Sequence, residues 1–229
     1  YRRPSLMCIS DSIITILSWL CLRSVPVTAN IKKQWAIFGN KHTWFMTLFY
    51  YGTFATFAGL GAQLALLGTH EFAHIENAPN VVALAWLGPV IGALSRVGAG
   101  KVADSIRGGR VTTIMAVCNI IGLLGLWLYK PDSVMGCWIW LGFMFWVFFW
   151  TGVGNASTTE QMAVLFPPLQ GGAVVGWTSA IGAYGPFTIG VLLAETNAAT
   201  MFAVTTAIFI AILLINIYYY DRKDAPDLC

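Results

Sequence analysis

The stretch MGCWIWLGFMFWVFF, residues 135–149, contains no charged side chain, and the apolar segment extends to Phe166 before Pro167 and Pro168. A helix that crosses a bilayer needs roughly 20 mostly apolar residues, and paired prolines predict its end. The rest of the chain is similar, because 57% of its 229 residues are hydrophobic and only 10% are charged. Since a soluble domain carries roughly 25% charged residues, the composition predicts an all-α polytopic membrane protein.

Apolar segments recur along the chain at spacings that fit a bundle of transmembrane helices. Six stand out, at 44–67, 81–97, 111–129, 135–149 with its extension to 166, 171–193 and 201–220. We therefore predict six spans over residues 44–220 and a cytoplasmic tail at 221–229. A shorter segment at 9–22 leads us to interpret residues 1–22 as a remnant of a preceding span in a longer protein. The polar residues 23–43 predict a cytoplasmic linker with a short amphipathic helix.

Basic residues are concentrated in alternate connections between these segments. One side would receive Lys32, Lys33, Lys41, Lys101, Arg107, Arg110, Arg222 and Lys223. The other side would receive only Lys130, together with Glu71, Glu76, Asp132 and Glu195. Because cytoplasmic loops carry an excess of Lys and Arg, we expect both ends of the six-span unit on the cytoplasmic side of the cell membrane. The net charge of +3 includes no basic cluster suited to nucleic acid.

Arg96 is the most informative single residue, because it ends the apolar run LGPVIGALSR, residues 87–96. A charge at the centre of a membrane helix costs about 2.5–3.5 kcal/mol even on lenient scales. One interpretation is that Arg96 lies near the cytoplasmic end of its span and extends its charge into water. The other is an anion site, because a guanidinium offers paired donors that match a planar oxyanion.

Other residues could accompany Arg96 in such a site. Tyr50 and Phe54 are four residues apart and are predicted to share a helix face, where they could flank a flat anion or pack against a neighbour. The glycine-rich segments 152–159 and 176–187 would let helices approach closely and bring backbone near a small ligand. Plain helix packing explains each glycine equally well.

A different function is suggested by His70-Glu71-Phe72-Ala73-His74, which matches the H-E-x-x-H pattern of zinc metalloproteases. That chemistry needs a third metal ligand and Glu71 as general base. The motif instead lies at the outer end of a span and runs into a loop signal. We therefore expect no metal, no cofactor and no enzyme, and keep an intramembrane protease and a non-transporting membrane subunit as alternatives.

Taken together, these features resemble the nitrate/nitrite porter family of the major facilitator superfamily. The stretch 87–96 resembles the family's eighth span, whose arginine binds the anion, and that role falls on Arg96. Residues 176–187 resemble its second signature motif on the eleventh span, and residues 152–158 its tenth span. Tyr50 and Phe54 fall where the seventh span carries substrate-facing aromatics. The loop from residue 100 to 110 resembles the conformational loop of such carriers, with its key positions at Gly100, Asp104, Arg107 and Arg110.

The resemblance implies that the chain is the six-helix C-terminal half of a carrier, spans seven to twelve. It implies transport of nitrate and nitrite by alternating access, in a bilayer and together with an N-terminal half that carries a second substrate arginine. The substrate-binding residues that we predict on this basis are Arg96, Tyr50, Phe54, Gly176, Ser179, Gly182 and Asn155.

Overall fold

The structure, a computed structural model, describes residues 14–21 and 34–222, except the side chain of Asp104. The chain divides into two compact units, residues 1–31 and 32–229. In the first unit residues 14–21 are helical, within the predicted segment 9–22. The rest of the predicted remnant, the linker up to Lys33 and the tail beyond Arg222 lie outside the described residues.

The second unit consists of helices joined by short connections. A 3-10 helix, Ala36–Gly39, precedes the first long helix. The α-helices are α1 Lys41–Glu71, α2 Val81–Leu84, α3 Leu87–Ile106, α4 Gly108–Leu128, α5 Val134–Leu165, α6 Pro168–Gly182, α7 Gly185–Glu195 and α8 Ala198–Asn216. A π-helical turn, Ile217–Asp221, follows α8. Since the described residues include no strand, the predicted all-α polytopic class is confirmed.

Five helical segments among the described residues are long and apolar enough to cross a membrane. They are Val81–Ala103, Gly108–Leu128, Val134–Leu165, Pro168–Glu195 and Ala198–Asp221. The remaining predicted span, 44–67, lies within the 31-residue helix α1, which at 1.5 Å per residue is roughly 46 Å long. Threonine, glycine and tyrosine dilute its apolar character, and it packs centrally against α5, α6 and α7. Its role as a sixth span stays a prediction.

Local chemistry explains where several helices begin and end. Asn40, Ser133 and Asn197 are the N-caps of α1, α5 and α8, and each side chain accepts a backbone N–H bond from the first turn. Such caps satisfy amides that have no partner inside the helix. Helix α5 ends at Leu165, immediately before the two prolines, and α6 begins at Pro168. The predicted break between the fourth and fifth spans is therefore confirmed.

The predicted segment 171–193 forms two helices, although Pro168–Glu195 as a whole is long and apolar enough to cross a membrane. Residues 183 and 184 separate α6 from α7. Pro186 explains the break, because it has no N–H to donate to the carbonyl of Gly182 and its ring clashes with that carbonyl. The backbone N–H of Tyr184 donates instead to Ile181 O at 3.1 Å, which tightens the end of α6.

The predicted loop from residue 100 to 110 is also shorter than expected. Gly100 and Asp104 lie inside α3, which ends at Ile106, and α4 begins at Gly108. Arg107 alone links the two helices, with φ 77°. The first part of the predicted loop is therefore helical, because no proline or paired glycine interrupts α3 before residue 107.

Candidate functional site

A small cavity lies where α1, α3 and α5 meet. Its volume is about 120 Å3, and its lining consists of Phe54, Phe57, Gly92, Ala93, Arg96, Gly152 and Asn155. This volume is well below the roughly 300–1,000 Å3 of sites for drug-sized ligands. Arg96 is exposed and is the only charged residue of the lining. The cavity therefore suits a small anion better than a larger solute.

The ionic surroundings of Arg96 differ from those of Arg110 and Lys130. Among the described residues, no carboxylate oxygen lies within 4 Å of its guanidinium, whereas Arg110 and Lys130 each pair with an acid. Arg96 lies within the membrane-crossing segment Val81–Ala103. A guanidinium in such a segment without a carboxylate partner can be neutralised by a solute anion.

The place of Arg96 follows from a close crossing of α3 and α5. A Cβ atom on Gly152 would collide with the carbonyl oxygen of Gly92 and with Oγ of Ser95. Ser95 stabilises the crossing, because its hydroxyl shares its one proton between Phe149 O at 2.8 Å and Gly92 O at 2.9 Å. The backbones of the two helices therefore meet at Gly92, about one helical turn before Arg96.

Aromatic rings of α1 form one side of the site. Tyr50 and Phe54 share a helix face, as their spacing predicted, and their ring centroids lie 5.6 Å apart with an interplanar angle of 15°. Phe57 also lines the cavity, although we did not predict it. Its ring centroid lies 6.4 Å from that of Phe54 and 6.0 Å from that of Phe148. Its spacing of seven residues from Tyr50 is the signal that could have identified it. Tyr50 itself is only 6% exposed and lies behind Phe54.

Helix α6 approaches this aromatic wall through one glycine. A Cβ on Gly182 would lie 2.9 Å from Cδ1 of Tyr50 and 3.6 Å from Cβ of Phe54. Gly176, in contrast, is exposed and has open space around it, and Ser179 is half-buried. Neither lines the cavity. The structure thus brings Arg96, Phe54 and Asn155 together, places Tyr50 and Gly182 behind them, and leaves Gly176 and Ser179 outside.

The connection between α3 and α4 is tied to the end of α8. Arg110 Nε lies 3.9 Å from Oδ1 of Asp221, and the Arg110 side chain is 56% exposed. Thr113 donates to Oδ2 of the same carboxylate at 2.7 Å. A positive φ at a non-glycine residue such as Arg107 costs about 1–3 kcal/mol, so this connection is conformationally strained.

The H-E-x-x-H residues have other partners. Glu71 pairs with Lys130 at 3.3 Å, and Nε2 of His74 donates to the carbonyl of Pro131 at 3.1 Å. Both bonds join the end of α1 to the connection between α4 and α5. The described residues contain no group of three His, Cys, Asp or Glu side chains that could hold a metal. The protease alternative is therefore not favoured.

Comparison with known proteins gives a direct indication of the family. No protein-family model matches the chain. A probable nitrate/nitrite antiporter of Thermus thermophilus, NarK2, is 41% identical over 222 residues, which cover 93% of this chain and 50% of that protein. By sequence, the chain belongs to the family of nitrate/nitrite transporters.

Two other members of the family align over a similar region. The nitrate/nitrite transporter NarU of Salmonella typhimurium is 29% identical over 241 residues, covering 93% of this chain and 51% of that protein. NarU of Escherichia coli is 31% identical over 201 residues, covering 78% of this chain and 43% of that protein. The chain thus spans about half the length of the curated relatives it matches. The predicted family is confirmed, and the chain is a multi-pass membrane protein related to transporters.

Proposed function

We propose that this chain is the C-terminal half of a nitrate/nitrite carrier of the major facilitator class that works by alternating access. The observation that carries the proposal is Arg96, the only charge in a cavity of about 120 Å3, in a chain whose relatives are named for nitrate and nitrite. The partners in the complete carrier are an N-terminal six-helix half, the lipid bilayer and the two anions.

The chemistry of binding follows from the shape of the anions. Nitrate and nitrite are small, planar and negatively charged, and the guanidinium of Arg96 can donate two parallel hydrogen bonds to two of their oxygens. Phe54 and Phe57 limit the cavity on one side, and Tyr50 supports Phe54 from behind. The bound anion offsets the unfavourable energy of a cation in the membrane.

Movement of the carrier is assigned to the helices around this site. Transporters commonly use discontinuous helices near the substrate and rock their two halves around it. The break between α6 and α7 and the contact of Gly182 with Tyr50 support such a role for this region. We assign the segment from Gly100 to Arg110, with its single-residue link, to the cytoplasmic control of this motion.

Exchange of one anion for another follows from the charge of the site. A second arginine in the other half, as the resemblance implies, would leave an empty site with two facing positive charges. Their repulsion disfavours reorientation without an anion, so the loaded carrier moves and the empty one does not. The name of the Thermus relative, a probable antiporter, supports this mode.

The test is an Arg96→Lys substitution in a complete carrier that contains this chain, with nitrate uptake measured in proteoliposomes. Lysine keeps the charge but loses the planar fork, so we expect a decrease of roughly tenfold or more. Arg222→Lys is the matched control, because Arg222 lies beyond α8 and its guanidinium rests on the ring of Tyr218. Uptake by Arg96→Lys equal to that of the control would contradict the proposal.

A further inference from the structure

Asn155 is a buried polar residue whose side chain has no hydrogen-bond partner in the part of the chain that the structure describes. It is 3% exposed, and among the described residues neither Nδ2 nor Oδ1 makes a hydrogen bond. Burying an unpaired amide is unfavourable, and such groups in a folded protein need an explanation. Asn155 lines the same cavity as Arg96, which suggests that its partner is a ligand.

The neighbouring hydroxyl side chains of α5 behave differently. Thr151, Thr158 and Thr159 each donate to a carbonyl oxygen of their own helix, at 2.8, 2.7 and 2.8 Å. Ser157 donates to Gly154 O and also contacts Thr112. The hydroxyls of this segment are thus satisfied within the protein, whereas the amide of Asn155 is available to the cavity.

The other residues of the lining limit what Asn155 can bind. Apart from Arg96, the remaining five are phenylalanine, glycine or alanine. The guanidinium of Arg96 has five N–H groups and no acceptor. It can therefore donate a hydrogen bond to Oδ1 of Asn155 but cannot accept one from Nδ2. Nδ2 then needs an acceptor, and an anion held by Arg96 provides one. If the amide of Asn155 were turned the other way, its Oδ1 would face the negative charge of the anion, and this is unfavourable.

We propose that Nδ2 of Asn155 donates to the third oxygen of nitrate and thereby makes the site prefer nitrate over nitrite. This inference rests on the proposed function, in which the fork of Arg96 holds two oxygens. Nitrate is trigonal and has a third oxygen for the amide. Nitrite has only two oxygens, so the same amide faces its nitrogen, a weaker acceptor. Asn155 is therefore a specificity-determining residue.

The experiment measures equilibrium binding of nitrate and nitrite separately, in the complete carrier, for Asn155→Leu, Asn155→Ala and Asn155→Asp. Loss of one hydrogen bond to a charged group predicts that Leu and Ala weaken nitrate binding roughly tenfold or more and nitrite binding by less than about threefold. Asp should weaken both anions strongly, because its carboxylate competes for Arg96.

Asn119→Leu is the matched control. Asn119 is also fully buried, but it lies on α4, outside the cavity, and its Nδ2 donates to Met115 O at 3.2 Å. We expect this variant to keep the ratio of nitrate to nitrite affinity. Retained nitrite binding by Asn155→Leu shows that the variant is folded, and if that variant binds neither anion, the ratio in Asn155→Ala decides.

The outcomes separate this inference from the proposed function. If Asn155→Ala keeps the nitrate-to-nitrite ratio of the unmodified carrier while Arg96→Lys loses binding, the role of Asn155 is wrong and the carrier function stands. If the unmodified carrier binds neither anion, or Arg96→Lys binds both normally, the proposed function itself is wrong.

Discussion

Gly92 and Gly152 fix the distance between α3 and α5 and, through it, the location of Arg96. With no side chain at either position, the carbonyl oxygen of Gly92 lies against the Cα of Gly152. Glycine in a helix interior is destabilising by roughly 0.5–1 kcal/mol relative to alanine. The close crossing offsets this loss through packing and through the shared hydrogen bond of Ser95.

A Gly152→Ala substitution should therefore destabilise the chain despite the better helix propensity of alanine. The added methyl group must separate the two backbones, and overpacking of this kind costs about 1–3 kcal/mol. Gly142→Ala is the control on the same helix, since Gly142 has open space around it and should lose no stability. Thermal unfolding of both variants in detergent provides the measurement. Equal transition temperatures would show that the crossing does not depend on Gly152.

Single residues of the site were predictable where one chemical property was decisive. Arg96 is identified by its charge in an apolar run, and the shared helix face of Tyr50 and Phe54 by their spacing. The cavity position of Phe57 was missed, because the sequence does not show how far a helix face extends before a neighbour covers it. Gly176 lies in the same motif as Gly182, yet of these two glycines only Gly182 approaches α1, because the rotation of a helix depends on its packing.

At the scale of elements, helix ends were easier to predict than interruptions. Paired prolines at 167 and 168 were sufficient for the end of α5. Pro186 carries the same physical signal, but hydropathy alone treats the surrounding apolar run as one span. Hydropathy depends on composition, whereas the break depends on a single missing N–H and a single clash. The turn at residues 85 and 86, between α2 and α3, has no comparable signal.

Helices α4, α5 and α8 are joined by buried side-chain hydrogen bonds that the sequence could not pair. Gln161 Nε2 donates to Asn216 Oδ1 at 3.0 Å, and Asn216 Nδ2 donates to Gly109 O at 2.7 Å and to Thr113 Oγ1 at 2.9 Å. Thr112 donates to Gln161 Oε1 at 3.3 Å. Nothing in the sequence shows which of these residues are partners, because they are far apart along the chain, so only the packed bundle shows which of them meet.

This network predicts a measurable coupling between α5 and α8. Gln161→Leu and Asn216→Leu should each destabilise the chain, because each leaves a buried amide with fewer partners. The double variant should lose less than the sum of the two, with a coupling of roughly 0.6–1.7 kcal/mol, the range of hydrogen bonds between membrane helices. A double-mutant cycle of unfolding free energies in detergent measures this value. Strict additivity would mean that the bond between the two amides contributes nothing.

At the scale of the whole molecule, contacts at opposite ends of the bundle reveal its up-and-down arrangement. At one end His42 contacts the hydroxyl of Tyr220 at 2.6 Å, where α1 begins and α8 ends, and Arg110 pairs with Asp221. At the other end Glu71 pairs with Lys130. Five described basic residues belong to the first end: Lys41, Lys101, Arg107, Arg110 and Arg222. Lys130 belongs to the second.

This asymmetry predicts the orientation of the bundle in the cell membrane. Because basic residues are retained on the cytoplasmic side, the end with Arg110 should face the cytoplasm and the end with Lys130 the exterior. The test uses a complete carrier in which all cysteines are replaced by serine. In this chain they are Cys8, Cys21, Cys118, Cys137 and Cys229. Asp132→Cys or Ser105→Cys is then added singly, since both positions are exposed and belong to opposite ends.

An impermeant thiol reagent applied to intact cells should label Asp132→Cys and leave Ser105→Cys unlabelled until the membrane is permeabilised. The physical reason is that a loop with several basic residues is not readily translocated across the membrane, whereas a loop with one lysine among acidic residues is. Uptake of nitrate by each variant serves as the control for correct insertion. The reverse labelling pattern would place the link at Arg107 outside the cell, where it could not control the cytoplasmic opening of the carrier.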